Sequence, residues 1–419
     1  MLQNYHSHSL KGKIINDPIY GFLNFRNELL PDIIEHPYFQ RLRRIRQMGM
    51  AHFVYPGAVH TRFQHSLGAA YLMGLALQTL NSKGHELSRE TCNAAQSAIL
   101  LHDIGHGPFS HALEQCIIRD MHHEELSLMM MHQINRDLGN TLQEAIDIFT
   151  GQHPTRFLKQ LVSGQLDMDR MDYLNRDSFY TGVSEGVIGY DRILQMIDVH
   201  QGRLVVEAKG IHSIEKFLIA RRFMYWQVYL HKAVLGTEQL LIHIMKRAKW
   251  LAGEGVSLFA TPAFHYFLYQ DINQGQFKEN PEALSRFAEL DDTDIAASIK
   301  VWQGHQDGIL SRLCQMLIQR RLYKIQISTG DLSSRYHRIK HDLLAAGQYS
   351  EEELGYFLLH GHTGNDTYNY DEQINILFKD GSVKDITEID NALITTELAK
   401  PVKKNFLAII PELAHYLNQ

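Results

Sequence analysis

The stretch Leu100-Leu101-His102-Asp103-Ile104-Gly105-His106-Gly107-Pro108-Phe109-Ser110-His111 carries three histidines and one aspartate within ten residues. The apolar run Ala94-Ala95-Gln96-Ser97-Ala98-Ile99-Leu100-Leu101 leads into it and reads as a buried helix. Gly105, Gly107 and Pro108 end or bend that helix, because glycine weakens a helix and proline lacks its donor. A polar, ligand-rich cluster therefore stands where a core helix stops. Burying such groups without partners is expensive, and a metal ion supplies the partner.

Imidazole with carboxylate suits Zn, Mn, Fe or Ni, and added water ligands suit Mg or Mn. Adjacent His102 and Asp103 project about 100° apart on a helix and can lean toward one ion. A lone His-Asp pair is more often a cap or a surface pair, and with 25 histidines in the chain chance clusters are common. Order and context outweigh that. His65, in Arg62-Phe63-Gln64-His65-Ser66-Leu67-Gly68, opens the apolar run Ala69–Leu77. Asp169 lies in Leu166-Asp167-Met168-Asp169-Arg170-Met171-Asp172-Tyr173, where Asp169, Asp172 and Tyr173 share one helix face. The pattern is H…HD…D, each member beside an apolar helix, which gives His65, His102, Asp103 and Asp169 as metal ligands. Arg62, three residues from His65, reads as a phosphate fork.

These three motifs, in this order, resemble the HD-domain phosphohydrolases. The branch is the one holding the vertebrate sterile-alpha-motif/HD-domain dNTP triphosphohydrolases and bacterial dNTPases. The resemblance runs from about Lys13 to Lys232. It implies a mainly α fold with an HD-domain helical core, and hydrolysis of deoxynucleoside triphosphates to deoxynucleoside and triphosphate with a divalent metal ion. It implies His106, His111, His123 and Glu124 as catalytic residues. Gln47, Arg62, Arg170, Tyr173, Asp177, Arg221 and Tyr229 are implied to hold the sugar and phosphates, with Arg170 replacing the vertebrate lysine. Glu114 stands where the vertebrate enzyme has Asp. Lys13, Asn16 and Arg43, with Glu35 in place of an aspartate, match a nucleotide effector site between subunits. Glu207 and Ser213 depart from a second effector pocket and argue against one of the vertebrate kind. The resemblance also implies a homo-oligomer, a dimer or tetramer.

The remaining chain sets bounds. Its 419 residues allow two or three domains, read here as 1–50 (N-terminal segment and first helix), 51–250 (metal-dependent core) and 251–419 (helical extension and a smaller C-terminal α+β lobe). A hydrophobic share of 44% and a charged share of 21% are those of a soluble globular protein. The net charge of -6 argues against a generally basic nucleic-acid surface, though a local patch stays open. Three cysteines without pair spacing fit a reducing compartment. With no signal-like N-terminus and no long apolar run, the expectation is a cytoplasmic protein without a membrane span.

Locally, residues 11–30 read as a turn-rich hairpin and 31–50 as helical, interrupted at His36-Pro37 and resuming from Tyr38 to Gly49. Arg41, Arg43, Arg44 and Arg46 read mostly as a solvated basic face. Ile214–Met245 reads as one long helical pattern carrying Arg221, Tyr225 and Tyr229 on one face, the two tyrosines as core. Asp380-Gly381 marks a hairpin. Two other function classes stand beside the first. One is an HD phosphohydrolase for another nucleotide, such as a monophosphate or an alarmone; a cyclic dinucleotide is less favoured, since no Gly-Tyr-Pro follows the HD motif. The other is a nucleotide sensor or nucleic-acid-binding module without turnover.

Overall fold

The computed structural model describes residues 14–25, 27–365, 373–389 and 402–417. A two-stranded antiparallel ribbon opens the described chain, β1 (Ile15–Asp17) and β2 (Gly21–Leu23). The Asp17 carboxylate accepts from the N–H groups of Ile19 and Tyr20, which closes the turn between them. Short helices α1 (Leu30–Glu35) and α2 (Pro37–Gln40) follow, then a 3-10 turn over Arg41–Arg44. Phe39, Leu42 and Ile45 are buried, as their stripe predicts. The interruption expected at His36-Pro37 is there, since proline holds the residue before it extended.

The core begins with α3 (Arg62–Ser82) and α4 (Arg89–Leu101). Gln64 accepts from the Thr61 N–H at the start of α3, and Ser88 caps α4 through the N–H of Thr91. The run that leads into the opening motif is buried from Ala94 to Leu101 except Gln96, which donates to the Ala70 carbonyl of α3. After the motif come α5 (Glu114–Ile117), α6 (His123–Asp137), α7 (Gln143–Thr150), α8 (Phe157–Val162) and α9 (Met168–Thr181). Helix α3 packs against both α4 and α9. Three ends therefore converge: the first turn of α3, the last turn of α4 and the first turn of α9.

Beyond α10 (Tyr190–Met196), strands β3 (Ile197–His200) and β4 (Arg203–Glu207) form an antiparallel hairpin. The long helical pattern at 214–245 divides into α11 (Ile211–Met224), a π-helical turn Tyr225–Tyr229, and α12 (Lys232–Gly253). His231 starts α12 anew, its ring accepting from the Ala233 N–H. The apolar spacing carries on across this break, so the break is invisible to periodicity.

Five helices follow, α13 (Pro262–Tyr269), α14 (Gln274–Glu279), α15 (Pro281–Glu289), α16 (Asp292–Trp302) and α17 (Gly308–Ile318). Then come β5 (Lys324–Ser328), α18 (Ser333–Ala345), α19 (Glu351–Phe357), β6 (Leu358–Asn365), β7 (Asn375–Leu377), β8 (Val383–Asp385) and β9 (Val402–Ile409). Strands β5, β9 and β6 form one antiparallel sheet with β9 in the middle. Strands β7 and β8 form the hairpin expected at Asp380-Gly381, but β7 also pairs in parallel with β4. The C-terminal strands thus complete a sheet begun before residue 210. One continuous hydrophobic core runs from Leu23 to Leu413. The molecule is mainly α with small sheets, and among its described residues no helix is long and apolar enough to cross a membrane.

Candidate active site

Where the three helix ends meet, the first-turn residue His65 of α3, the residue His102 just past α4 and Asp169 of α9 face one point. His65 Nε2 lies 3.1 Å and His102 Nε2 lies 3.5 Å from Asp169 Oδ1. Asp103 sits beside them, its Oδ1 3.3 Å from His102 Nε2 and its Oδ2 3.7 Å from His65 Nε2. The outer nitrogens of both rings are engaged. His65 Nδ1 donates to Asp172 Oδ2 at 2.8 Å, and His102 Nδ1 donates to the Ile99 carbonyl at 2.6 Å. Each ring therefore turns the lone pair of Nε2 inward, and both Nε2 atoms are buried without a hydrogen-bond partner. Buried acceptors of this kind call for a cation.

A proton and a cation compete for the same Nε2 lone pair, because the surrounding carboxylates favour positive charge there. Burial works to lower the pKa of His65, yet the carboxylates of Asp169 and Asp172 outweigh it and hold it up at about 10. Burial likewise works against charge on Asp169, but His102 and His65 keep it below the usual carboxylate range. The cluster stabilises positive charge at its centre, as a divalent-metal site must.

A chain of buried ion pairs braces the first ligand. Arg176 donates from Nε and Nη2 to the two oxygens of Asp172 at 2.8 and 2.9 Å, and from Nη1 to Asp17 at 2.8 Å. The β1 turn is thereby joined to His65 through Asp17, Arg176 and Asp172. The chain runs past Gly68, where an added Cβ falls 2.0 Å from Asp172 Oδ1 and 2.3 Å from Arg176 Nη2. Only glycine leaves room for it.

The loop from Asp103 to Ser110 is shaped by contacts from far along the chain. Gly105 lies so close to α6 that a Cβ falls 2.2 Å from the Ser127 nitrogen. This approach sets the His106 ring against His123, with centroids 3.9 Å apart and planes 18° from parallel. Glu114 accepts from the backbone N–H and from Nδ1 of His123, each at 2.7 Å, and fixes that ring. Phe109 and Ser110 take left-handed φ of 53° and 54°, a strained choice for non-glycine residues. Asp292 of α16 holds the strain in place by accepting from the Phe109 N–H at 2.8 Å, and Arg62 donates to Ser110 Oγ. Arg41 corrects the reading of the basic segment. It is fully buried and donates to the carbonyls of Ile104, His106 and Leu290. Burial lowers its pKa to about 9, still well above neutrality. Arg43 and Arg44 are exposed, as expected of a solvated face.

A cavity of about 320 Å³ opens beside the metal group. Gln47, Arg62, Asp103, His106, His123, Asp169, Tyr173, Asp177 and Tyr229 all line it. Gln47 brings a buried carboxamide oxygen without a hydrogen-bond partner. Asp177 is held by His60 Nε2 and the Tyr229 hydroxyl, both at 2.7 Å. Arg62 is paired with Asp103. Burial and Arg62 together push the His106 pKa well below its ordinary value. Asp103, His106 and His123 form a second group whose ligand atoms converge.

Other expected residues are placed elsewhere. Arg170 and Arg221 are not on the cavity wall; Arg170 pairs with Asp167, and Arg221 donates to Gln165. Glu124 is largely exposed, 3.5 Å from His123 Nε2. His111 lies in the 3-10 turn Ser110–Ala112, and its side chain is outside the described residues. Of the effector set, Asn16 is on β1, Glu35 ends α1, and Arg43 lies over the Phe63 ring at 3.6 Å, while Lys13 is outside the described residues. Sequence reading passed over Asp172, Arg176, Asp17, Asp292 and Glu238, the last also on the cavity wall. Only Asp172 carried a signal, its shared helix face with Asp169.

Fold and site together define a helical hydrolase built on a histidine–aspartate metal group. The HD domain model matches residues 62–177, and the HD associated region matches 188–248. A crystal structure of a phosphohydrolase from Bacteroides thetaiotaomicron VPI-5482 is 50% identical, with a TM-score of 0.90 over 95% of this chain and 99% of that one. The uncharacterized protein YwfO of Bacillus subtilis (strain 168) is 30% identical over 90% of this chain and 87% of its own length. Human deoxynucleoside triphosphate triphosphohydrolase SAMHD1 is 31% identical over 52% of this chain and 42% of its own. The chain belongs to the HD-domain phosphohydrolases, a family that uses a divalent metal ion.

Proposed function

We propose that this phosphohydrolase cleaves deoxynucleoside triphosphates at the α-phosphorus, releasing deoxynucleoside and triphosphate. One observation carries the reading: a single cavity joins the metal group, a paired-histidine wall and a separate polar set of Gln47, Asp177 and Tyr229. That combination suits a substrate with a polyanionic end and a hydroxylated middle. The likeness to SAMHD1, by its printed name a dNTP triphosphohydrolase, supports the same substrate class.

His65, His102, Asp103 and Asp169 would hold the ion, which when bound polarises a phosphoryl oxygen and lowers the pKa of water. Arg62 brings fixed positive charge to the phosphates while Asp103 and Ser110 keep its fork in place. His106 and His123 stand where the leaving 5′ oxygen needs a proton. His106 is neutral in the free protein, and a polyanion arriving beside it offsets Arg62 and favours its charged form. Glu114 keeps the His123 ring oriented for the same exchange. Gln47 and Asp177 offer acceptors to the 3′-hydroxyl, the one hydroxyl a deoxyribose carries. Arg170 and Arg221 reach the substrate phosphates only by leaving Asp167 and Gln165, and His111 and Glu124 complete the proton-handling set. Asn16, Glu35, Arg43 and Lys13 form an effector site between subunits of a dimer or tetramer.

Product analysis tests this. Each dNTP is incubated with Mn or Mg, with and without GTP, against a His102→Ala/Asp103→Ala control. Metal-dependent deoxynucleoside and triphosphate are expected. Orthophosphate or pyrophosphate as the product overturns the assignment, and a GTP requirement supports the effector site.

A further inference from the structure

The cavity lining is of two kinds. Arg62, Asp103, His106, His123 and Asp169 make the charged part. Met48, Ala51, Phe109, Ala112 and Val234 make the apolar part, and the carboxyl of Glu238, one turn from Val234, also lines the cavity with none of those charges acting on it. Val234 and Glu238 are one turn apart on α12 and share the face that packs on the turns Ala51–Phe53 and Ser110–Ala112. We propose that Glu238 reads the base of the nucleotide, its carboxylate accepting two N–H groups from one edge and so favouring guanine. The inference rests on the nucleotide reading above and adds to it the base preference.

Glu238 has no hydrogen-bond or ion-pair partner among the described residues, so it is not a structural ion pair. Burial pushes its pKa up to about 7, and among the described residues no cation acts on it. Glu238 is half-buried, so cavity water meets its carboxyl until a ligand supplies better-placed donors. The phosphates cannot supply them, being acceptors drawn to the Arg62 guanidinium. The sugar has its own acceptors in Gln47 and Asp177. The base is what remains for the apolar wall, where flat rings bury well.

Base chemistry then sets the order. Guanine offers N1–H and the N2 amine side by side, matching both carboxylate oxygens. Above pH 7, where Glu238 is ionised, adenine and cytosine offer one amine beside a bare ring nitrogen, which repels the carboxylate. Thymine offers a single N–H between two carbonyls. A site built to meet a pair of donors rejects bases that lack them.

The test compares wild type, Glu238→Gln and Glu238→Ala as full chains with Mn. It reads kcat/KM for all four dNTPs, and calorimetric binding of dGTP and dTTP to metal-free protein. Thermal melting confirms that each variant is folded. Wild type should favour dGTP over dTTP by roughly 10–100-fold, and both variants should bring that ratio to within about threefold. An equal loss for all four bases, an unchanged ratio, or no preference in wild type overturns the proposal. If no dNTP is turned over, the catalytic reading fails on its own. The binding ratio then judges Glu238: a guanine preference lost in both variants sustains the inference, and none refutes it.

Discussion

The two walls of the cavity are built in opposite ways. On the metal side both ligand histidines are braced. His65 leans on Asp172, Asp172 on Arg176 and Arg176 on Asp17, while His102 is tied to the Ile99 carbonyl. On the α12 side Glu238 has no brace among the described residues and shifts toward its neutral form. The first wall is preorganised for a small cation that tolerates little error in geometry. The second is left incomplete, to be finished by a ligand. Variants on the metal wall should abolish chemistry, whereas variants on the other should change choice and can even gain stability.

The largest effect tests the braced wall directly. His102→Ala should remove bound metal, read by elemental analysis, and lower turnover by roughly 10³-fold or more while the fold persists. Retained metal at wild-type stoichiometry would contradict the ligand set. One step out, Asp172→Asn should weaken metal affinity by about 10–100-fold in a chelator competition. Gly68→Ala should reach the same end by steric means, since its methyl takes the space of the Asp172 oxygen. An unchanged metal affinity in both would mean the buried ion-pair chain is decoration.

Arg41→Met probes the loop rather than the ligands. Three carbonyls lose a buried donor, so denaturant unfolding should show a loss of roughly 2–4 kcal/mol. A loss below about 0.5 kcal/mol would show that other contacts hold the loop.

The smallest effect belongs to the unbraced wall and depends on pH. The folded-state pKa of Glu238, about 7, is above its ordinary 4.5, so folding favours the protonated form. Stability tied to that proton is full below pH 4.5 and lost as pH rises through 7. Glu238→Gln, which cannot ionise, should therefore be more stable than wild type by about 1–3 kcal/mol at pH 8. The gap should shrink toward pH 5. A gain that is the same at both pH values would mean the carboxyl is not buried as described.

The same contrast explains what could be read from the sequence. His65, His102, Asp103 and Asp169 are legible because each interrupts an apolar helix, and polar residues there need a reason. The Asp380-Gly381 hairpin is legible because its turn chemistry is local. Arg41 was read as solvated because its partners are backbone carbonyls, one of them 249 residues away. Asp292 braces Phe109 across 183 positions and carries no mark of it. The turn Tyr225–Tyr229 hides within continuous apolar spacing, and the pairing of β7 with β4 follows no local rule. Glu238 is one acid among many on a helix, and only the cavity singles it out.

The central claim is attack at the α-phosphorus, and isotope transfer tests it most directly. Hydrolysis of a dNTP in ¹⁸O water breaks the bond between the α-phosphorus and the 5′ oxygen, which leaves with a proton. The account predicts one ¹⁸O in the released triphosphate and none in the deoxynucleoside, by mass spectrometry. Label in orthophosphate, pyrophosphate or a deoxynucleoside monophosphate would contradict it.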